Sequence, residues 1–326
     1  MNNNNTPEEI LQDIKNGKAQ PWQSKKSGSN RIAYNLGQID YKQKASRLFM
    51  CGGVLIFETD PITGKKKLKS AQFCKDRLCL MCNWRKGLRV FQDVSKVMDV
   101  IENRHPNLQP IFLTLTQKNC EFSELLNEMQ NILDGFYRLS KHRQIRTQVE
   151  GWFRAVEVTY NADTHTWHPH IHAIFLVDKS YFKKDNKKYI TTSDFSKLWR
   201  TSMRLDYNPI VHVQRLKAKK NKKHSGVAEA AKYTLKDDEI LKNNDDMIQE
   251  MLTILVPALR RKRLFAFGGI MKKIAIEIKA DKLDEGNLMV DETEIIREDV
   301  GTILERYEWS YGINNYIKAH TEEKKQ

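Results

Sequence analysis

Alternating hydrophobic and polar positions predict short β-strands in the first half of the chain. Residues 48–59 and 66–73 are strand-like runs on either side of Asp60, Pro61 and Gly64, residues typical of a turn. Residues 111–116 alternate apolar side chains with threonine, as a half-exposed strand does. The pattern therefore predicts one β-hairpin near the N-terminus and a first strand of a central sheet.

Further strands are predicted at 152–160 and 169–177, joined by the polar loop 161–166. The segment 1–45 is polar, and its Lys-, Ser- and Gly-rich stretch at 25–30 predicts an exposed loop. Helical periodicity recurs in four places between and after the strands, so the fold class is α+β, with helices packed on a central antiparallel sheet. The four predicted helices are residues 84–104, 122–148, 193–204 and 226–236.

The amino-acid composition indicates a polyanionic binding partner. The chain has 326 residues, 55 of them Lys or Arg and 41 Asp or Glu, so its formal net charge is +14 and its pI is near 9.4. No apolar run approaches a membrane span, and the N-terminus lacks the basic and apolar regions of a signal peptide. We therefore expect a cytoplasmic protein that binds nucleic acid and no membrane.

Four cysteines have the spacing of a structural zinc site. Cys74, Cys79 and Cys82 lie within nine residues, and Cys51 lies opposite Cys74 if the hairpin is centred on its turn, because their midpoint is 62.5. The alternative is a set of buried free cysteines. Four thiolates leave no open coordination position, so a zinc ion here would be architectural. Cys120 has no partner at metal-ligand spacing and is expected to be packed in the core.

Two histidines on the last predicted strand point to a second metal. His170 and His172 are two residues apart and so project from the same face of a strand. His168 is in phase with them, but it stands before Pro169 at the mouth of the strand. A hairpin centred at 164.5 would place Glu157 opposite His172, which predicts a site of two histidines and one carboxylate. The alternative is a surface strand whose histidines only pair across the sheet.

A helical segment downstream carries a candidate nucleophile. Glu229 and Tyr233 are four residues apart and would share one helix face. A tyrosine hydroxyl needs activation before it can attack phosphorus, and Lys232 and Lys236 flank it. Glu229 could act as a general base on water. Taken alone, this pair is weak evidence for catalysis, because a glutamate and a tyrosine four residues apart are common on an exposed helix with a packed tyrosine.

These motifs, in this order, resemble the HUH endonuclease superfamily. The closest resemblance is to the rolling-circle plasmid replication initiators (Rep) of Gram-positive bacteria, in the branch with one catalytic tyrosine and a helper glutamate. Residues 112–116 resemble the first family motif, 170–172 the HUH motif and 229–233 the tyrosine motif. Other segments also resemble the family, namely residues 74–85, 262–264 and 268–269.

The resemblance implies a nickase-ligase that acts on plasmid DNA. Tyr233 would form a 5′-phosphotyrosine link at the double-strand origin and free a 3′-OH primer, and Glu229 would activate water at termination. His170 and His172 would bind Mg²⁺ or Mn²⁺, and Glu157 is our choice of third ligand from strand geometry. The resemblance also implies a host helicase and a DNA polymerase as partners, and it leaves a homodimer open.

The basic residues are concentrated near the predicted nucleophile. Between Val211 and Lys236 there are eight Lys or Arg and one Glu, whereas residues 277–306 carry ten acidic residues and four basic ones. A run of lysines is usually a solvated loop, but beside a nicking site it is expected to contact phosphates. The lysines expected to bind DNA are Lys217, Lys219, Lys220, Lys222, Lys223, Lys232 and Lys236.

Three domains are predicted: an N-terminal zinc-binding hairpin and helix unit at 1–105, the HUH endonuclease domain at 106–276, and a C-terminal extension at 277–326. Two other functions compete with the initiator. One is a zinc-containing, sequence-specific DNA-binding regulator without catalysis, in which the histidine strand is incidental. The other is an HUH transposase or relaxase with the same chemistry and a different role.

Overall fold

The computed structural model describes residues 9–15, 17–183, 186, 189–216, 227, 236–283, 288–289 and 302–323. The chain divides into two compact units, one of residues 1–88 with 287–326 and one of residues 89–286. This division differs from the three segments predicted from the sequence, because residues 303–323 form strands that pair with the N-terminal hairpin.

Helices and strands follow one another along both units, which confirms the α+β class. Two short 3₁₀ helices, Phe122–Glu124 and Lys179–Phe182, accompany them. The α-helices are α1 (Trp22–Gln38), α2 (Lys42–Met50), α3 (Leu80–Arg104), α4 (Leu125–Lys141), α5 (Arg143–Gln148), α6 (Thr192–Met203), α7 (Asp237–Leu241), α8 (Asp245–Leu259) and α9 (Gly269–Glu277). The strands are β1 (Ile14–Lys15), β2 (Lys18–Ala19), β3 (Val54–Thr59), β4 (Lys66–Ala71), β5 (Leu108–Leu115), β6 (Cys120–Glu121), β7 (Val149–Asn161), β8 (Thr166–Asp178), β9 (Val211–Arg215), β10 (Phe265–Gly268), β11 (Ile303–Ser310) and β12 (Asn315–Glu323).

The first unit contains a four-stranded antiparallel sheet in the order β12-β11-β3-β4. The predicted hairpin is confirmed as β3 and β4, although the residues just before Cys51 end helix α2 instead of beginning a strand. Glu305 on β11 is buried and accepts hydrogen bonds from Thr59 Oγ1 at 2.6 Å and Lys318 Nζ at 2.6 Å, and it also pairs with Lys66. This network ties the C-terminal strands to the hairpin.

The prediction of an exposed loop at 25–30 is wrong, because these residues lie in α1. Lys26 is fully buried there and Ser29 is buried too. The Lys26 ammonium donates to the carbonyls of Phe49 (2.5 Å) and Cys51 (2.9 Å), which satisfies a charge that the sequence pattern assigned to solvent. Tertiary partners therefore override the loop composition of this stretch.

The second unit contains the central antiparallel sheet, in the order β10-β7-β8-β5-β9, with β6 paired to β8. Strands β7 and β8 are each 13 residues long, which extends both predicted strands at each end. Aromatic packing covers one face: Phe136 of α4 contacts Trp152 and Phe175, and Phe195 of α6 contacts Phe175. Side chains alternate between the two faces along a strand, so Glu157 of β7 and His170 and His172 of β8 project from the other face.

Two of the predicted helices have different bounds in the structure. The helix predicted at 122–148 is broken at His142, whose backbone is extended and whose Nδ1 accepts from the Gln144 amide to cap α5. Helix α3 begins four residues before the predicted start, so Cys82 lies in its first turn. The helix predicted at 193–204 is confirmed as α6, and the one predicted at 226–236 lies outside the described residues apart from 227 and 236.

Candidate metal centres and nucleic-acid site

The β7–β8 hairpin brings Glu157 to the two histidines with a register that differs from the predicted one. Glu157 pairs with His170, and His172 pairs with Ala155. The prediction that Glu157 lies opposite His172 is therefore wrong by two residues. The reason is the turn: Asn161 pairs with Thr166, so the hairpin is centred at 163.5, and His165 adopts a left-handed backbone (φ 52°) that closes it.

The same three residues still converge, because Glu157 reaches both imidazoles. Its Oε2 lies 2.9 Å from Nε2 of His172 and 3.4 Å from Nε2 of His170. One ligand atom from each residue lies within 4.8 Å of the others. The three residues are only 4%, 8% and 7% exposed for Glu157, His170 and His172. Three buried donors of this kind can hold a divalent metal ion.

The remaining ring nitrogens of the histidines are fixed by neighbouring groups. Thr114 of β5 pairs with His172 across the sheet, and its Oγ1 lies 3.2 Å from His172 Nδ1. The Phe112 ring stacks on the His172 ring at 5.4 Å. His170 Nδ1 lies 3.1 Å from the carbonyl oxygen of His168. These contacts leave the Nε2 atoms directed at Glu157. Metal-binding histidines are commonly oriented in this way, by a hydrogen bond to the ring nitrogen that does not bind the metal.

His168 itself stays outside the cluster. Its ring stacks on His170 with the ring centres 5.1 Å apart, but none of its atoms belongs to the group that can share an ion. Burial lowers the pKa of His168, and the adjacent His170 lowers it further. A neutral His168 therefore lies beside the site as a packing partner.

The Glu157 carboxylate is ionised and contacts one lysine, Lys236. Burial alone would raise the pKa of Glu157, but hydrogen bonds from His170 and His172 outweigh it and hold that pKa far below its usual value. Lys236 Nζ lies 3.2 Å from Glu157 Oε1 and 3.6 Å from Glu239 Oε1. Burial would lower the pKa of Lys236, and the charge of Glu157 raises it overall. Lys236 was predicted as a DNA contact; among described residues it pairs with these two carboxylates.

The four predicted cysteines form a second cluster in the first unit. Their sulfurs lie 3.4 Å apart for Cys51 and Cys82, 3.5 Å for Cys51 and Cys79, and 3.7 Å for Cys74 and Cys82. A tetrahedral zinc ion with Zn–S bonds of about 2.3 Å requires sulfurs about 3.8 Å apart. The cluster therefore has the size of a zinc tetrathiolate. Cys120 is buried outside it, as predicted.

Main-chain N–H groups and a buried cation stabilise negative charge on these sulfurs. The amides of Cys74 and Lys75 donate to Cys51 Sγ at 3.3 Å and to Cys82 Sγ at 3.2 Å. Burial raises the pKa of the Cys79 thiol, but hydrogen bonds from the other cysteines lower it more. Hydrogen bonds with Cys51 raise the pKa of Cys74 and Cys82, so without a metal the negative charge is concentrated on Cys79. Lys26 supplies a buried ammonium beside Cys51. Donors of both kinds favour thiolates, which are the form that binds a metal.

A family model described as "Replication protein" matches residues 65–317. The match includes Glu157, both histidines and three of the four cysteines. The chain belongs to this replication protein family. The resemblance to rolling-circle plasmid replication initiators of Gram-positive bacteria is thereby confirmed, and the protein has a role in initiating plasmid replication, which implies that it binds DNA.

Curated relatives match over most of the chain. A "Protein rep" of Bacillus amyloliquefaciens is 33% identical, with 94% of this chain and 97% of the relative covered. A "Protein rep" of a Bacillus species is 35% identical, covering 78% of this chain and 87% of the relative. One from Streptococcus pneumoniae is 30% identical over 86% of each chain. No solved structure matches.

Several predicted site residues lie outside the described residues: Tyr233, Glu229, Lys217, Lys219, Lys220, Lys222, Lys223 and Lys232. Sequence reasoning missed the contact of Thr114 with His172 and the pairing of Lys236 with Glu157. The first could have been found by aligning residues 112–116 with the histidine strand, because threonine there alternates toward the histidine face. No helix in the described ranges is long and apolar enough to cross a membrane.

Proposed function

We propose that this member of the replication protein family initiates rolling-circle replication by nicking one strand at the double-strand origin of a plasmid. It leaves a 3′-OH primer, stays linked to the 5′ end through Tyr233 and rejoins the ends at termination. The convergence of Glu157 with His170 and His172 supports this proposal most directly. Buried ligand atoms of this type, with Nε2···Oε2 distances of 2.9 and 3.4 Å, suit an ion that binds phosphate.

Three ligands leave room for oxygen atoms of a substrate. Mg²⁺ or Mn²⁺ held by Glu157, His170 and His172 would supply Lewis-acid polarisation of the scissile phosphate. Thr114 and the His168 carbonyl fix the imidazole rings in advance, so that the ligands need no rearrangement when DNA binds. The four cysteines would hold a structural Zn²⁺ in the other unit.

In the nicking step the Tyr233 hydroxyl attacks the scissile phosphorus. A bond forms between the tyrosine oxygen and phosphorus, the bond from phosphorus to the 3′ oxygen breaks, and the phenolic proton passes through solvent to that 3′ oxygen. The phosphodiester energy is conserved in the phosphotyrosine, so rejoining needs no nucleotide cofactor. At termination Glu229 would accept a proton from water, so that the second cleavage leaves no lasting protein–DNA link.

Lys236 supports the assignment of Tyr233. Lys236 contacts Glu157 and follows Tyr233 by three residues, a length of chain that spans at most about 11 Å. The metal centre therefore lies within reach of the segment that carries the predicted nucleophile. Lysines at 217, 219, 220, 222, 223, 232 and 236 would hold the phosphates of the strand to be cut.

The test is incubation with a labelled single strand of the origin and Mn²⁺, followed by mapping of the DNA-linked peptide. The proposal expects the label on a peptide that contains Tyr233. Tyr233→Phe is expected to abolish the adduct and leave DNA binding nearly intact, because only the hydroxyl is removed. An adduct that persists in Tyr233→Phe would show another nucleophile. Binding without cleavage in the wild type would favour a regulator, and cleavage confined to transposon ends or transfer origins would favour a transposase or relaxase.

A further inference from the structure

A cleft of about 530 Å³ opens in the second unit. Its walls come from the end of α4, from α5, from the start of β7 and from the junction of β10 with α9. None of the metal-centre residues lines it. Trp152 in its wall precedes Glu157 by five positions on the same strand, a distance of about 17 Å.

The side chains that line this cleft include three cations and one carboxylate. Lys141, Arg146 and Lys272 line it and are exposed, and the acidic residue in the lining is Glu150. None of the three cations forms an ion pair with a carboxylate among the residues that the structure describes. Their charges are therefore available to an anionic ligand.

An exposed aromatic ring stands among these cations. Tyr137 is 64% exposed although it lines the cleft, and Lys141 Nζ lies 5.5 Å from the centre of its ring. Trp152 is held more firmly, with its ring edge-on to Phe136 at 4.9 Å. A ring left open to solvent between cations is suited to stack on a second planar group.

Two glycines allow close packing in the wall of the cleft. A Cβ at Gly268 would lie 2.1 Å from Cε2 of Trp152, so only glycine lets the indole lie against this backbone. Gly269 has φ +58°, and a Cβ there would lie 2.2 Å from the Glu150 carbonyl oxygen. The wall is thus built from close contacts that fix the indole before any ligand arrives.

We infer that this cleft binds single-stranded DNA, with phosphates on Lys141, Arg146 and Lys272 and an unstacked base on Tyr137. A duplex keeps its bases stacked inside and would offer phosphates only, which leaves the exposed ring without a partner. Single strands expose both groups, and proteins bind them with cations and aromatic rings together. The inference rests on the proposed function only for the choice of DNA as the polymer.

Anisotropy of a fluorescein-labelled oligothymidylate tests the cleft. Binding by the full chain is measured at several salt concentrations without added Mg²⁺ or Mn²⁺ and without chelator, so that structural zinc is retained. The triple variant K141A/R146A/K272A is expected to bind at least 10-fold more weakly, with a salt slope smaller by about 2, because each lost phosphate contact of a single strand changes it by about 0.7. Tyr137→Ala is expected to weaken binding about 5- to 100-fold. Tyr137→Phe, which keeps the ring, should restore affinity to within about twofold.

Lys273→Ala is the matched control, because Lys273 is exposed on the same helix but lies outside the cleft lining. Unchanged affinity in the triple variant would overturn the inference, and so would an equal loss for a labelled duplex, which would assign the cleft to duplex phosphates. The outcome of this test is independent of the outcome for the nickase proposal. A wild-type chain without a Tyr233 adduct can still show the cleft effect, and a chain that forms the adduct can lack it.

Discussion

Glu157 pairs through its backbone with His170, yet its carboxylate lies closer to the imidazole of His172, at 2.9 Å against 3.4 Å. The side chain therefore crosses the sheet diagonally and bridges the two histidines. This bridging role means that the charge of Glu157, and not only its size, holds the cluster together.

Glu157→Gln is expected to lower the affinity for Mn²⁺ at least 10-fold, because the amide keeps the shape of the side chain and removes its negative charge. Titration calorimetry with Mn²⁺ measures the effect, and the zinc content should stay unchanged. His168→Ala serves as the control and should bind Mn²⁺ within a few-fold of the wild type. An equal loss in both variants would contradict a site made of Glu157, His170 and His172.

Thr114→Val tests whether the Oγ1 of Thr114 orients His172. Valine has nearly the same volume but offers no hydrogen-bond partner to Nδ1, so the ring loses its contact with the Thr114 hydroxyl. We expect Mn²⁺ affinity to fall about 10- to 100-fold with little change in melting temperature. Thr114→Ser should restore most of the affinity because it keeps the hydroxyl. If serine and valine behave alike, Thr114 acts through packing alone.

Cys82→Ser is expected to reduce zinc below about one ion per chain and to lower the stability of the first unit, because a tetrahedral site that loses a thiolate loses most of its affinity. Elemental analysis of the purified chain and thermal melting measure the two effects. Cys120→Ser is the control, since Cys120 is buried outside the cluster. A wild-type chain that binds no zinc would contradict the predicted site.

Glu229→Ala is expected to keep the first cleavage and fail at termination. The residue is assigned to water activation, and the tyrosine attack does not use it. A time course with an oligonucleotide that carries two successive nick sites separates the steps, and covalent protein–DNA complexes should accumulate. Glu229→Gln should behave like alanine because an amide cannot accept the proton. Equal loss of both steps would argue against this role.

Glu305→Gln is expected to destabilise the first unit by up to about 3 kcal/mol at neutral pH. Burial would raise the pKa of Glu305, but hydrogen bonds from Lys318, Lys66 and Thr59 lower it to about 2. Because the folded-state pKa is depressed, the stabilisation is complete above the usual pKa near 4.5 and is lost as the pH falls toward 2.

Thermal melts of wild type and Glu305→Gln across pH 2 to 7 should therefore converge at the acid end. Glu308→Gln on the same strand is the control, because the Glu308 side chain is 45% exposed and pairs with Arg306. A difference that stays constant down to pH 2 would mean that the network contributes through shape and not through charge.

The sequence predicted strands β3, β4, β5, β7 and β8, the clustering of four cysteines and the convergence of Glu157 with His170 and His172, because each depends on short-range spacing. It did not predict β9 to β12. It did not predict the register of the hairpin, which is set by the left-handed backbone at His165. It also assigned Lys26 to a loop, since only the fold places carbonyl oxygens around its ammonium. Features set by local spacing can be read from the sequence, whereas the burial of a polar group depends on partners that are distant along the chain.

The four-stranded sheet joins the N-terminal hairpin, which begins at Val54, to a strand that begins only at Ile303. Strand β3 has β4 on one side and β11 on the other. During synthesis the hairpin leaves the ribosome long before residues 303–310 are translated, so one edge of β3 stays unpaired for most of that time. A chain truncated before these residues would therefore keep an open edge on β3, where another chain could pair with it.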